Sequence, residues 1–235
     1  MLFWVVKILT TGVGEIFSDY ICLAINRYLA VALGLLFLII ALVLQLKVRR
    51  HLPYVYWFAA LMVSIFGTMF ADVLHVGLGI PYLVSTITYV VVLALAFVIW
   101  WRVEKTLAVH SIVTTRRELF YWLTVLLTFA LGTATGDLTA VTFHLGYLMS
   151  AVLFAVLICI PLFGYKILHW NEVFSFWFAY ILTRPLGASV ADWISASHVA
   201  GGLGLGKGLV SLALFLIIAV LVAYLTLQQR RKEKA

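Results

Sequence analysis

Asp19, Asp72, Asp137 and Asp192 are the only aspartates in the chain, and all four recur in one sequence setting. Phe3-Trp4 leads to Thr10, Gly14, Ser18 and Asp19, and Tyr56-Trp57 leads to Val63, Gly67, Ala71 and Asp72. Tyr121-Trp122 leads to Thr128, Gly132, Gly136 and Asp137, and Phe176-Trp177 leads to Thr183, Gly187, Ala191 and Asp192. The signature is aromatic-Trp-x5-Thr/Val-x3-Gly-x3-small-Asp, repeated without a gap. On a helix, residues four and eight positions before an aspartate share its face. These are Thr11 and Glu15, Ser64 and Thr68, Phe129 and Thr133, and Arg184 and Ala188. In three of the four copies a polar column therefore ends in a carboxylate.

Five acids, Glu15, Asp19, Asp72, Asp137 and Asp192, fall within apolar stretches. Arg184 is the one deeply placed base, because Lys7 is expected to snorkel to the nearer surface. An acidic cluster of this kind cannot stay fully ionised and empty in a low-dielectric site. It must bind cations, take up protons, or do both. His75 lies three residues after Asp72 on the same helix face. The candidate metal ligands are thus Asp19, Asp72, Asp137, Asp192, Glu15 and His75, with His144 and His198 as weaker candidates near the ends of their helices. Carboxylates with imidazoles suit manganese, zinc or iron, and carboxylates with carbonyls suit calcium or magnesium. Thr68, Thr133 and Arg184 complete the candidate ion- or substrate-binding set. Arg184 precedes Pro185, which frees a backbone carbonyl and favours a kink. Arg184 either serves such a gate or pairs with Glu15 or Asp192. Glu15, Thr68, Thr133 and Ala188 occupy one equivalent position, so an asymmetric site is expected rather than a fourfold pore. No cofactor is implied beyond a divalent metal ion as substrate.

The elements that must hold these residues are membrane helices. The chain has 235 residues, 65% hydrophobic and 11% charged. Soluble domains are about half apolar and about a quarter charged. Crossing a bilayer takes roughly 20 apolar residues. Eight such segments are expected, at 2–25, 29–47, 54–76, 81–101, 119–143, 146–166, 172–194 and 208–227. The chain reads as one all-α transmembrane domain, 1–235, of four two-helix repeats near 1–48, 54–102, 119–166 and 172–228, with a basic tail at 229–235. Thr, Gly and the small residue stand four apart in each odd helix, so Gly14, Gly67, Gly132 and Gly187 sit on packing stripes. Each aromatic-Trp pair is expected among lipid headgroups. The aspartate then lies roughly 22 Å further along, in the outer third of a core about 30 Å thick. It should face the bundle interior rather than lipid. Two-helix units enter the membrane in the same direction, so the repeats are parallel and related about the membrane normal in a pseudo-fourfold arrangement.

Twelve of the sixteen basic residues fall after helices 2, 4 and 6 or in the tail: Lys47, Arg49, Arg50, Arg102, Lys105, Arg116, Arg117, Lys166, Arg230, Arg231, Lys232 and Lys234. The opposite loops hold Arg27 and Lys207. This asymmetry predicts cytoplasmic termini, and it explains the net charge of +7 without nucleic acid. His51, His110 and His169 fall in the same cytoplasmic loops. Cys22 and Cys159 form neither a disulfide framework nor a metal spacing. No cleavable signal peptide is visible, so the first helix is expected to direct insertion. Gly201-Gly202-Leu203-Gly204-Leu205-Gly206 reads as a flexible linker or lid, not a nucleotide loop, because no strand precedes it.

The chain resembles a bacterial multi-pass inner-membrane family with a tandem repeat of unknown function, whose copies carry Gly-x4-Asp. Its last copy carries Thr-Arg-Pro-Leu-Gly-Ala, here Thr183 to Ala188, and the first copy fits from Thr11 to Asp19. The resemblance implies the bacterial inner membrane and brings no activity. The residues themselves favour a transporter or exporter of a cation, a divalent metal first, exchanged for protons. A proton-coupled carrier of a small organic solute competes, since aromatics make up 15% of the chain and Arg184 could hold an anion. A non-transporting scaffold, with aspartates bonded between helices, also competes. An enzyme is not expected: no HExxH, nucleophile elbow or Ser/Lys dyad is present. The expected partners are the bilayer and a small cation; the oligomeric state is open.

Overall fold

A computed structural model describes residues 2–48, 50 and 52–234. Arg49 and His51 lie outside the described residues, as does the side chain of Lys234. Among the described residues the α-helices are α1 (Leu2–Ala24), α2 (Arg27–Lys47), α3 (Pro53–Asp72), α4 (Tyr82–Glu104), α5 (Thr115–Asp137), α6 (Gly146–Leu157), α7 (Cys159–Lys166), α8 (Glu172–Ser195) and α9 (Lys207–Lys234), and no strand is present. Long apolar segments favour helices because every backbone group is then satisfied within the segment. Their starts are marked locally. The Asn26 side chain accepts from the Tyr28 and Leu29 amides, Asn171 does the same for Val173 and Phe174, and Pro53 opens α3.

Six of these elements are long and apolar enough to cross a membrane: α2, α3, α4, α5 with its following π-turn, the collinear α6–α7 pair and α9. The chain is therefore a membrane protein. α1 and α8 are not among the six. They carry Lys7, Glu15 and Asp19, and Glu172, Arg184 and Asp192. The 229–234 segment continues α9 rather than forming a separate tail.

α1, α3, α5 and α8 pack in a closed ring, α1 on α3, α3 on α5, α5 on α8 and α8 on α1. α2, α4, α6 and α9 stand outside and expose apolar side chains such as Leu36, Ile39, Val91, Leu95, Val152, Leu216 and Val220. Each outer helix packs chiefly on the inner helix of the next repeat: α2 on α3, α4 on α5, α6 on α8, and α9 back on α1. No repeat can bury its own inner helix alone, so the fold is complete once the fourth unit meets the first.

Glycine sets the approach within the ring. A Cβ on Gly14 would collide with Ser64, on Gly67 with Phe129, on Gly132 with Arg184, and on Gly187 with Thr11. Those partners stand eight residues before the next repeat's aspartate, always in the same cyclic order. The small stripe is therefore a backbone-contact seam, as expected where packing drives helix association in lipid.

Candidate functional site

The inner face of the ring is a stack of equivalent layers, read here from the aspartate end to the tryptophan end. Asp19, Asp72, Asp137 and Asp192 are all half-buried at the first layer. Asp19 pairs with Lys207 at the start of α9. Among the described residues, Asp72, Asp137 and Asp192 have no hydrogen-bond or ion-pair partner for their carboxylates. Asp137 lies within electrostatic reach of Asp72, Asp192, Asp19 and Glu15. Asp72 and Asp137 also line one small crevice with His75, Tyr82, Ser85 and Thr133. Directly after Asp72 and Asp137 the helix widens into a π-turn, over Val73–Gly77 and Leu138–Thr142. π-turns interrupt the regular ladder and concentrate at functional sites.

One layer deeper the axis is filled by Arg184, whose side chain is fully buried. It donates to Glu15 Oε2 at 2.6 Å and to the Thr133 hydroxyl at 2.7 Å, and it also bonds the Thr68 hydroxyl. A longer bond runs from it to the Thr11 carbonyl, at 3.4 Å. Repeats one, two and three thus each present a side chain to the guanidinium supplied by repeat four. Thr68 and Thr133 also donate to the carbonyls of Ser64 and Phe129, one turn back, so their oxygens accept from Arg184. Of the two partners weighed for Arg184, Glu15 is the one used.

Lys7 occupies the next layer and corrects the expectation that it snorkels. Its side chain is fully buried, with Nζ 4.0 Å from the Phe129 ring centre and 4.1 Å from that of Tyr180. Among the described residues Nζ has no hydrogen-bond partner. Its position twelve residues before Asp19 continues the inner face by one more turn, a signal already present in the sequence. Lys207 was missed because a cation in a loop offers no periodic cue. The charge inventory changes accordingly: five acids face Arg184, Lys7 and Lys207 rather than one base.

The last layer is aromatic. The ring of Phe3 lies 5.5 Å from Trp57, Tyr56 5.6 Å from Trp122, Tyr121 6.0 Å from Trp177, and Phe176 5.6 Å from Trp4. This is the same cyclic order as the glycine contacts. Tyr56 and Tyr121 join hydroxyls at 2.6 Å. Trp57, Trp122 and Trp177 are buried. The aromatic-Trp pairs therefore pack on one another as a plug across the ring, with Trp57, Tyr121, Trp122 and Trp177 buried and the other four rings half-buried. Beyond the plug opens a vestibule of about 1100 Å³, lined also by Gln45, Arg50, the segment from Leu107 to Thr115, Glu118 and Glu172.

The metal reading meets a geometric obstacle. Among the described residues no group of three or more His, Cys, Asp or Glu side chains could hold a metal ion. Glu15 is taken by Arg184 and Asp19 by Lys207. His75 turns Nδ1 to the Ile80 carbonyl at 2.6 Å and stacks on Tyr82. His198 faces the Gly202 carbonyl, and His144 sits at a left-handed turn with φ 55°. The glycine stretch 201–206 is not a loose lid. Leu203, Gly204, Leu205 and Gly206 return their amides to the carbonyls of Trp193, Ala196, Ile194 and Ser195 and cap α8, with Gly201, Gly204 and Gly206 at positive φ. Cys22 and Cys159 are free thiols.

The fourfold sequence pattern has a counterpart among known families. The model of a family described as Repeat of Unknown Function (DUF347) matches residues 2–51, 55–106, 120–168 and 175–231. The chain belongs to this repeat family. No curated protein and no solved structure matches it. The aspartate layer and the Arg184 level each take one residue from each of the four family repeats, and the aromatic layer takes two from each.

Proposed function

We propose that the chain is a proton-coupled carrier of a small cation in the bacterial cytoplasmic membrane. Eight spans cross the bilayer, α1 and α8 with the six apolar ones, in a pseudo-fourfold arrangement about the membrane normal. The basic residues at the tryptophan end put both termini and the vestibule in the cytoplasm. The aspartate layer then faces outward.

One observation carries this reading. Among the described residues, Asp72, Asp137 and Asp192 have no ion-pair partner, while Glu15 and Asp19 are paired internally with Arg184 and Lys207. A half-buried carboxylate without a counter-charge is penalised in its ionised form. Asp137 lies within electrostatic reach of Asp72 and Asp192, and protons or a bound cation relieve the cost of charging them together. Competition between proton and cation for the same carboxylates is the elementary basis of exchange. Arg184 and Lys7 close the axis below them, so the protein behaves as a gated carrier rather than an open pore. A dehydrated divalent metal has less support, since no three ligands converge among the described residues.

The test is reconstitution in liposomes loaded with a pH-sensitive dye, with cation gradients imposed from outside. Asp72→Asn, Asp137→Asn and Asp192→Asn are each expected to abolish cation-driven proton flux while leaving the melting temperature close to that of the parent. Undiminished flux in all three, or loss of flux tracking loss of fold, removes the proposal and favours a scaffold.

A further inference from the structure

The vestibule at the tryptophan end takes no part in the aspartate chemistry, and it has the features of a ligand site. Its volume of about 1100 Å³ lies just above the usual range for small-molecule pockets. Phe3, Trp4, Tyr56, Trp57, Tyr121, Trp122 and Phe176 all reach it, so its floor is the outer surface of the aromatic plug. Among the described residues, two carboxylates, Glu118 and Glu172, stand on its walls with the guanidinium of Arg50. Glu118 is held in place by the Gln45 amide at 2.8 Å. His110, 3.9 Å from Glu172, is exposed and leaves that carboxylate open to the cavity.

We propose that this vestibule binds an organic ammonium cation, its alkylated nitrogen against the aromatic floor and Glu118 and Glu172 balancing its charge. This names the substrate class for the carrier reading and rests on it. The structure holds a precedent one layer deeper. The Lys7 amine stands between the Phe129 and Tyr180 rings at 4.0 and 4.1 Å, with no hydrogen-bond acceptor among the described residues. The axis therefore already places a basic nitrogen against ring faces. Cation–π attraction favours such groups over neutral ones of the same shape, most strongly with tryptophan. A metal ion lacks this advantage because it keeps its water shell at ring faces. An anion would meet the two carboxylates.

Three indoles, Trp4, Trp57 and Trp122, line the cavity, so ligand entry reads out as a change in tryptophan emission. The full chain in lipid nanodiscs is titrated with choline, with tetraethylammonium, and with 3,3-dimethylbutan-1-ol, the neutral isostere of choline. Saturable quenching by the quaternary ammonium probes and none by the alcohol is expected. The exposed Glu172→Gln and the paired Glu118→Gln should each weaken the ammonium response by about fivefold, the scale of a partly exposed ion pair. Trp4→Leu should weaken it as well while preserving the two glutamates. An equal response to the alcohol, or no saturable response to either cation, overturns the assignment. The Asp72→Asn and Asp137→Asn variants separate the two proposals. Ammonium binding retained with proton flux lost supports both, whereas flux lost in those variants with no binding in the parent chain overturns the vestibule site alone.

Discussion

Replacing Arg184 by methionine tests whether the axial ion pair is one unit. Methionine keeps the unbranched stem that packs against Gly132, so the change removes charge and hydrogen bonds with little change in packing. In the parent protein Arg184 has zero exposure and Glu15 only 5%. Without the guanidinium the Glu15 carboxylate keeps no hydrogen-bond partner among the described residues. Breaking one side of a buried pair costs about 3–5 kcal/mol, because the other charge stays buried. Arg184→Met and Glu15→Met should each lower stability by that amount. The double variant should lie within about 2 kcal/mol of the parent, since paired replacement by apolar residues is often neutral. Thr68 and Thr133 are no obstacle, as both hydroxyls already bond to their own helices. The four proteins would be compared by reversible unfolding in detergent, giving a coupling energy of about 4 kcal/mol or more. If the double variant loses as much as the two single variants together, Arg184 and Glu15 do not act as a pair and the layer has been misread.

Three other substitutions bear on the packing and on the second buried base. Gly187→Ala places a Cβ 2.6 Å from the Ile8 carbonyl oxygen and should cost about 1–3 kcal/mol in melting experiments. Gly136→Ala, whose nearest neighbour is 4.0 Å away, should instead be neutral or stabilise by up to about 1 kcal/mol; equal effects would contradict the seam. Lys7→Met removes a buried basic group that has only ring faces around it among the described residues, so relief of its desolvation offsets the roughly 1–2 kcal/mol of ring attraction lost. Its melting temperature should match or exceed that of the parent, and a clear fall would show that Lys7 has a stabilising partner.

The sequence by itself determined which residues face inward. The register of each inner helix follows from its aspartate: residues four and eight before it, from Thr11 to Ala188, are all buried as the helical period requires. The Gly14, Gly67, Gly132 and Gly187 stripe was legible for the same reason, because small residues at fixed spacing in an apolar helix have packing as their first use. Helix limits were legible too, since long apolar runs have one stable backbone form in lipid.

Tertiary structure decided what a single-helix pattern cannot encode. Periodicity assigns a face but not the neighbour on that face, so it could not say that each glycine meets the next repeat, or that α2, α4, α6 and α9 pack away from their own partners. It could not show that Arg184 crosses the axis to Glu15, Thr68 and Thr133, because those four residues lie on four separate helices. The aromatic pairs and Lys7 were assigned to the membrane surface from their residue types. Closure of the ring instead packs the eight rings on one another and sets the Lys7 amine between two ring faces. Charge balance along the axis depends on which side chains meet, and that is fixed by the ring as a whole.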